Sequence, residues 1–312
     1  MTLSARATSL EAASAKRDSD ARETASMPST VHWILRLGVA ACFIGHGAFG
    51  VIGKAAWVPY FAVWGIPERW AWPLMPVVGM VDITIGVVTL FRPIRAVLLY
   101  MAFWGLQTAC LRPLAGEGIW ELLERAGNFG VPLAFLVLLG WPPSRADWFS
   151  ARPGPPLTQA CTEAVQSMLR VTAAMLLIGH GGFGFAMQKP EWTGYFGLFG
   201  IDRATVMAYS LTPVVGGFEC ALGLLVLVLP RPSVLLFAFI WKVGTELLRP
   251  LAGEPFWEFV ERGGSYAAPL ALWRLPTRSR STTVNGLFRF LPQLCVKSRK
   301  LTQSEITEEK QR

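Results

Sequence analysis

Long apolar runs alternate with short polar, aromatic or charged segments along most of the chain. The first run covers about 31–52 and contains Gly45-His46-Gly47. An aromatic-rich segment follows at 53–73, with Trp57, Tyr60, Phe61, Trp64, Trp70 and Trp72. The second run is about 74–91, and the basic turn Arg92-Pro93-Ile94-Arg95 separates it from the third, about 96–111. A charged segment then leads into the fourth, about 128–141. After a Pro-rich polar stretch the series restarts. The fifth run, about 168–187, holds Gly179-His180-Gly181, and its aromatic segment carries Trp192, Tyr195, Phe196 and Phe199. The sixth covers about 208–229, and the seventh follows Pro230-Arg231-Pro232 at about 233–248. A second charged segment precedes the eighth, which ends near Trp273. Runs of this length and composition predict membrane helices, and interfacial aromatics fit the segments between them. The expected fold is all-α: a polytopic membrane protein with about eight transmembrane helices in two four-helix repeats. Four is even, so both repeats enter from the same side, related by an axis along the membrane normal.

The two charged segments are nearly the same: LRPLAGEGIWELLERAG over 111–127 and LRPLAGEPFWEFVERGG over 248–264. On a helix, Glu121, Glu124, Arg125 and Asn128 share one arc, with Ile119, Leu122, Leu123 and Ala126 opposite. Glu258, Glu261, Arg262 and Ser265 repeat the arc in the second copy. The Glu121–Arg125 and Glu258–Arg262 spacings place an acid four residues before a base, the favourable order. Two readings follow: an amphipathic interfacial turn with a solvated charged face, or a polar site between a loop and a helix start. The outer-face candidates are Arg112, Glu117, Glu121, Glu124 and Arg125, with Arg249, Glu254, Glu258, Glu261 and Arg262.

Composition supports the membrane assignment: of 312 residues 52% are hydrophobic and 16% charged, against about 25% charged in soluble chains. Residues 1–30 lack an apolar signal core and read as a disordered cytoplasmic tail. Met27, directly ahead of the apolar chain, is an alternative start. The remaining divisions are a first repeat at 31–141, a linker at 142–167, a second repeat at 168–273 and a basic cytoplasmic tail at 274–312. Lys and Arg concentrate in the tails, the linker (Arg145, Arg152) and the turns with Arg92, Arg95 and Arg231. This predicts a cell-membrane protein with both termini cytoplasmic. The lipid bilayer, and not nucleic acid, is the expected partner. The five cysteines have no CxxC spacing and read as packing residues.

Several polar residues fall inside apolar runs. Asp82 and Glu219 occupy equivalent positions near mid-bilayer, where an ionised acid costs at least ~2.5 kcal/mol. Each is therefore expected to be paired, hydrated or protonated. His46 and His180 are also equivalent, with glycines that let a helix or ligand approach closely. Imidazole at such a place bonds a backbone carbonyl, a quinone or, less expected, haem. Lys242 and Glu246 lie four apart in the seventh run, where the first repeat has Gly105 and Ala109. Either they neutralise each other, or Lys242 pairs with Glu219. No Ser/His/Asp set, phosphate loop or metal-ligand cluster is visible, so no catalytic residue or metal site is assigned.

Each half resembles the DoxX-like family of small four-helix membrane proteins. The resemblance is carried by IGHGAFGVIGK and IGHGGFGFAMQK, by VGMVDITIGVVTLFRP and VGGFECALGLLVLVLPRP, and by the last helix after the charged segment. It covers most of 33–275. Glu219 matches the family's usual second-helix acid and Asp82 departs from it. The resemblance implies a membrane subunit of quinone-linked redox chemistry with a redox partner. A small-molecule or proton-coupled transporter and a non-catalytic scaffold are the alternatives.

Overall fold

The computed structural model describes residues 29–142, 144–151 and 159–275. The tails expected at 1–30 and 274–312 lie almost wholly outside them. The described residues contain helices and turns and no strand. In the first half, α1 (Ser29–Ile52) is followed by a 3-10 turn and α2 (Val58–Val63), then α3 (Glu68–Phe91), α4 (Arg95–Leu114), α5 (Ile119–Glu124) and α6 (Ala126–Leu138). The second half has α7 (Gln159–Phe185), α8 (Glu191–Gly197), α9 (Arg203–Ala208), α10 (Leu211–Val228), α11 (Pro232–Leu251), α12 (Trp257–Glu261) and α13 (Gly263–Arg274).

Four helices, α1, α3, α7 and α10, are long and apolar enough to cross a membrane. Helices α4 and α11 have 20 residues each but carry Arg95 and Arg112, or Lys242, Glu246 and Arg249. Helices α6 and α13 have 13 and 12 residues, about 20 Å at 1.5 Å per residue. The expected boundaries shift in three places. Helix α3 starts at Glu68 and carries Pro73 and Pro76 internally, which helices inside a membrane tolerate. The aromatic segment is thus partly helical. The matching stretch of the second half breaks at Ser210, which is left-handed with φ 49°, separating α9 from α10. Helix α7 takes up the end of the expected linker.

Small residues set the packing. Helix α1 crosses α3 where Gly47 and Gly50 meet Gly79, and α7 crosses α10 where Gly181 and Gly184 meet Gly216. Each of these two helices also packs on the opposite half. Gly38 of α1 faces Gly263 and Ala267 of α13, and α6 places Gly130 on Thr172 of α7 and Gly127 on Gly264. Close backbone approach of this kind is how helices associate without a solvent-driven force. Helices α1, α6, α7 and α13 therefore form the centre, around Leu35, Phe135, Leu169 and Leu177. The outer helices turn apolar side chains outward: Val77, Met80 and Val87 on α3, Phe103 on α4, Val214 and Leu224 on α10, Ile240 on α11. A continuous apolar exterior of this kind marks a lipid or partner surface.

Arginines cap helix ends at the basic turns. Arg95 donates to the carbonyls of Leu139 and Gly140 at 2.7 and 2.9 Å, beyond the end of α6. Arg36 reaches Thr89 O at 3.2 Å, and Arg170 reaches Leu227 O at 2.5 Å. These cations satisfy carbonyls left over at helix C-termini, so Arg95 is an internal cap as well as a positive turn. Cys42, Cys110 and Cys220 are free thiols. Cys161 is buried in the core, as its packing role implied, and is disulfide-bonded as well.

Candidate functional site: two aromatic pockets on a buried charge cluster

The repeated charged segment forms a reversal. Helix α4 stops at Leu114, Gly116 turns left-handed at φ 94°, and Glu117 N donates to Arg112 O at 3.0 Å. The second copy turns at Gly253, φ 93°, with Glu254 N donating to Arg249 O at 3.1 Å. A left-handed glycine past the last turn is the usual helix stop, and it accounts for the repeated LAGE. The side chains close the same loops, with Arg112–Glu117 at 3.1 Å and Arg249–Glu254 at 3.3 Å.

The short helices α5 and α12 then turn their charges inward. Glu121, Glu124, Arg125, Glu258, Glu261 and Arg262 are all at most 9% exposed, whereas Ile119 is 54% and Phe256 60% exposed. The solvated-face reading is therefore overturned. The periodicity grouped the right residues, but the arc it marked as polar is the interior one. The reason is reciprocal packing between the halves. A Cβ on Gly45 would lie 2.3 Å from Glu261 N, and one on Gly179 would lie 2.1 Å from Glu124 N. The glycines beside the histidines thus admit the charged short helix of the other half, and Gly47 and Gly181 admit α3 and α10.

Ion pairs cross the same boundary. Lys54 meets Glu258 at 2.8 Å, Lys189 meets Glu121, Arg262 meets Glu124 at 3.2 Å, and Arg125 meets Glu261 at 3.8 Å. Within the halves, Arg112 meets Glu121 at 3.3 Å, Arg125 meets Glu124 at 2.9 Å, and Arg262 meets Glu258 at 2.8 Å and Glu261 at 3.1 Å. The expected i,i+4 pair forms at Glu258–Arg262, whereas Arg125 turns to its neighbour Glu124 instead of Glu121. Arg262 Nε also lies 2.9 Å from Glu246, but its N–H aligns with neither Glu246 nor Glu124, so those contacts are Coulombic. Acids Glu117, Glu121, Glu124, Glu246, Glu254, Glu258 and Glu261 face bases Lys54, Arg112, Arg125, Lys189, Lys242, Arg249 and Arg262. Charges balance seven to seven. Burial alone pushes the Glu258 carboxyl up, but Arg262, Lys54 and Arg249 outweigh it and bring it down to about 2. Glu124 is likewise held below the ordinary range, because Arg262 and Arg125 outweigh its burial. Glu258 and Glu124 are therefore ionised at neutral pH.

A cavity lies beside the cluster in each half. The first, about 420 Å³, is lined by His46, Trp57, Tyr60, Trp64, Trp104, Thr108 and Arg112. The second, about 400 Å³, is lined by His180, Trp192, Tyr195, Phe199, Glu219, Trp241 and Thr245. Each has a histidine–carboxylate dyad. His46 Nδ1 lies 2.8 Å from Asp82 Oδ2, and His180 Nδ1 lies 2.6 Å from Glu219 Oε2. Both mid-run acids are thus paired, and Asp82 and Glu219 are completely buried. His46 stacks on Trp57 with ring centroids 4.4 Å apart, and His180 tilts over Trp192 at 5.1 Å. Tyr60 donates to Glu117 and Tyr195 to Glu254, tying each pocket wall to the cluster. Burial raises both tyrosines above their ordinary range, which keeps them protonated donors.

The halves differ at Lys242 and Glu246. Lys242 bonds Glu246 at 2.5 Å, and its ion pair is with Glu246, not with Glu219. Glu246 also meets Arg249 at 2.8 Å and approaches His180 Nε2 at 3.6 Å. A connected series therefore runs Glu219–His180–Glu246–Arg262 into the cluster. Ala109 stands where the first half would need Glu246. Gly105, at the place of Lys242, packs against the backbone of Asn128. The indoles of Trp104 and Trp241, pocket walls next to the acids, were not singled out from sequence. Their equal offset from Asp82 and Glu219 was the available signal. Comparison with protein-family models, with curated proteins and with solved structures gave no match.

Proposed function

We propose that the chain is a multi-pass membrane protein of DoxX-like type, built as two parallel four-helix repeats, that binds a quinone-class ring in its aromatic pockets. The observation that carries this reading is the pair of cavities, each with a histidine–carboxylate dyad set among aromatic walls. Cavities of about 400 Å³ fall in the range of small-molecule sites, which pair apolar walls with a few placed polar groups. The exposed apolar belt and the four long apolar helices support the membrane setting. The arginine-rich turns support cytoplasmic termini in the cell membrane.

The residues fit such a ring. Trp57 and Trp192 offer faces, and the imidazole edge not bonded to the carboxylate offers a hydrogen bond. A bound quinone would supply two-electron, two-proton redox chemistry, with electrons delivered by a partner subunit. In the second half, the carboxylate of Glu219 fixes His180, and Glu246 lies at its other nitrogen, so a proton has a route between pocket and cluster. In the first half Asp82 fixes His46 in the same way.

The test is gentle purification, lipid extraction and an absorption spectrum. Quinone that co-purifies with the wild type and is lost from a His46→Ala, His180→Ala double variant is the expected result. Absence of quinone, with proton-coupled uptake into vesicles, would overturn it in favour of transport.

A further inference from the structure

Two buried polar atoms of the first half have no hydrogen-bond partner among the described residues: Trp104 Nε1, on a residue that lines the first pocket, and Asp82 Oδ1, on the acid that bonds the lining His46. At the equivalent positions of the second half the same two groups satisfy each other, since Trp241 Nε1 donates to Glu219 Oε1 at 2.7 Å. The ring stacked on each indole is similarly placed. Tyr100 stacks on Trp104 with centroids 6.1 Å apart, and Phe237 stacks on Trp241 at 6.0 Å. Both carboxyls use their other oxygen on a histidine Nδ1. The two acids themselves differ by one methylene, about 1.5 Å of reach. The aspartate is too short to close on its indole, so an acceptor and a donor are left open. His46, Trp104 and Thr108 line both the large cavity and a small void of about 10 Å³.

We infer that the first pocket is a site for a ring hydroxyl, in the chemical class of hydroquinones and phenols. A hydroxyl both donates and accepts, so one O–H group donates to Asp82 Oδ1 while its oxygen accepts from Trp104 Nε1. A ring carbonyl only accepts. It satisfies Trp104 and leaves the second, buried oxygen of Asp82 without a donor. The first pocket therefore prefers the reduced ring, and the second, whose carboxylate and indole are already joined, does not discriminate by this means. The inference rests on the quinone-class reading above and adds which redox form the first pocket holds.

The experiment uses the full chain in detergent under nitrogen, titrated by calorimetry with a short-tailed benzoquinol and separately with its oxidised form. The wild type is expected to bind the quinol more tightly at one site. Asp82→Glu, which supplies the missing methylene, should weaken quinol binding by about tenfold to a hundredfold, the size of one hydrogen bond to a charged group. Quinone binding should weaken less, because the carbonyl loses only the Trp104 N–H, which the longer acid now occupies, whereas the quinol loses both partners. Trp104→Phe removes the donor and should reduce binding of both forms. Glu219→Asp should create a second quinol-preferring site. Thermal unfolding checks that each variant is folded, and if Asp82→Glu does not fold, Glu219→Asp carries the test. Equal binding of both forms, or a preference that survives Asp82→Glu, overturns the inference and leaves the pocket reading standing; water then fills the gap. No binding of either form to the wild type overturns both.

Discussion

Replacing Arg262 by methionine keeps most of the side chain's length and removes the cation at the centre of the cluster. Arg262 is 6% exposed. It lies 2.8 Å from Glu258, 2.9 Å from Glu246, 3.1 Å from Glu261 and 3.2 Å from Glu124. The substitution leaves seven acids facing six bases in an interior that cannot hydrate the excess. Breaking a buried pair from one side costs about 3–5 kcal/mol. For a chain of this size about 1 kcal/mol moves the melting temperature by roughly 2–4 °C, so the apparent Tm should fall by about 10 °C. The loss has a pH signature. In the wild type, the carboxyl of Glu258 sits at about 2 when folded, against 4.5 ordinarily. Its contribution is complete above 4.5 and fades as pH falls towards 2. In Arg262→Met the carboxylates keep their burial and outnumber the remaining cations by one, so the folded value of the uncompensated acid rises above its unfolded one. The variant then binds protons on folding and loses stability as pH rises. The gap to the wild type should be widest near pH 8 and narrow towards pH 5. Tryptophan fluorescence during heating in detergent measures it. A pH-independent gap, or none, would refute the claim that Arg262 acts through charge.

One further prediction tests the reciprocal packing and another the proposed orientation in the membrane. Gly179→Ala places a methyl 2.1 Å from Glu124 N and 2.6 Å from Leu123 C, so α5 must move; a destabilisation of at least ~1–3 kcal/mol is expected. Gly194→Ala, which meets nothing within 4 Å, should leave the melting temperature unchanged, and equal Tm values for both variants would contradict the reciprocal packing. Single cysteines at Ser144 and Arg274, in a background without the native cysteines, should react with a membrane-impermeant thiol reagent only after the cells are opened. Labelling of either in intact cells would reject cytoplasmic placement of the linker and C-terminal end.

The apolar runs determined the helical class and the approximate limits of the long helices, because a long apolar run that forms a helix satisfies its own backbone and can show apolar side chains outward. Nearly equal offsets pair Asp82 with Glu219, His46 with His180 and Arg112 with Arg249 in the sequence alone. Periodicity also grouped Glu121, Glu124 and Arg125 on one arc. It gave no sign of which arc faces in, since that depends on whether an opposing surface exists to neutralise the charges. The surface is the glycine-flanked end of α1 or α7 from the opposite half, more than 50 residues away in sequence. Tertiary structure likewise decided that His46 meets Asp82, that Glu246 joins His180 to the cluster, and that Trp241 reaches Glu219. The substitution of Asp82 for glutamate is plain in the sequence, but its consequence is not. One methylene matters only because an indole stands at the distance that the longer acid spans.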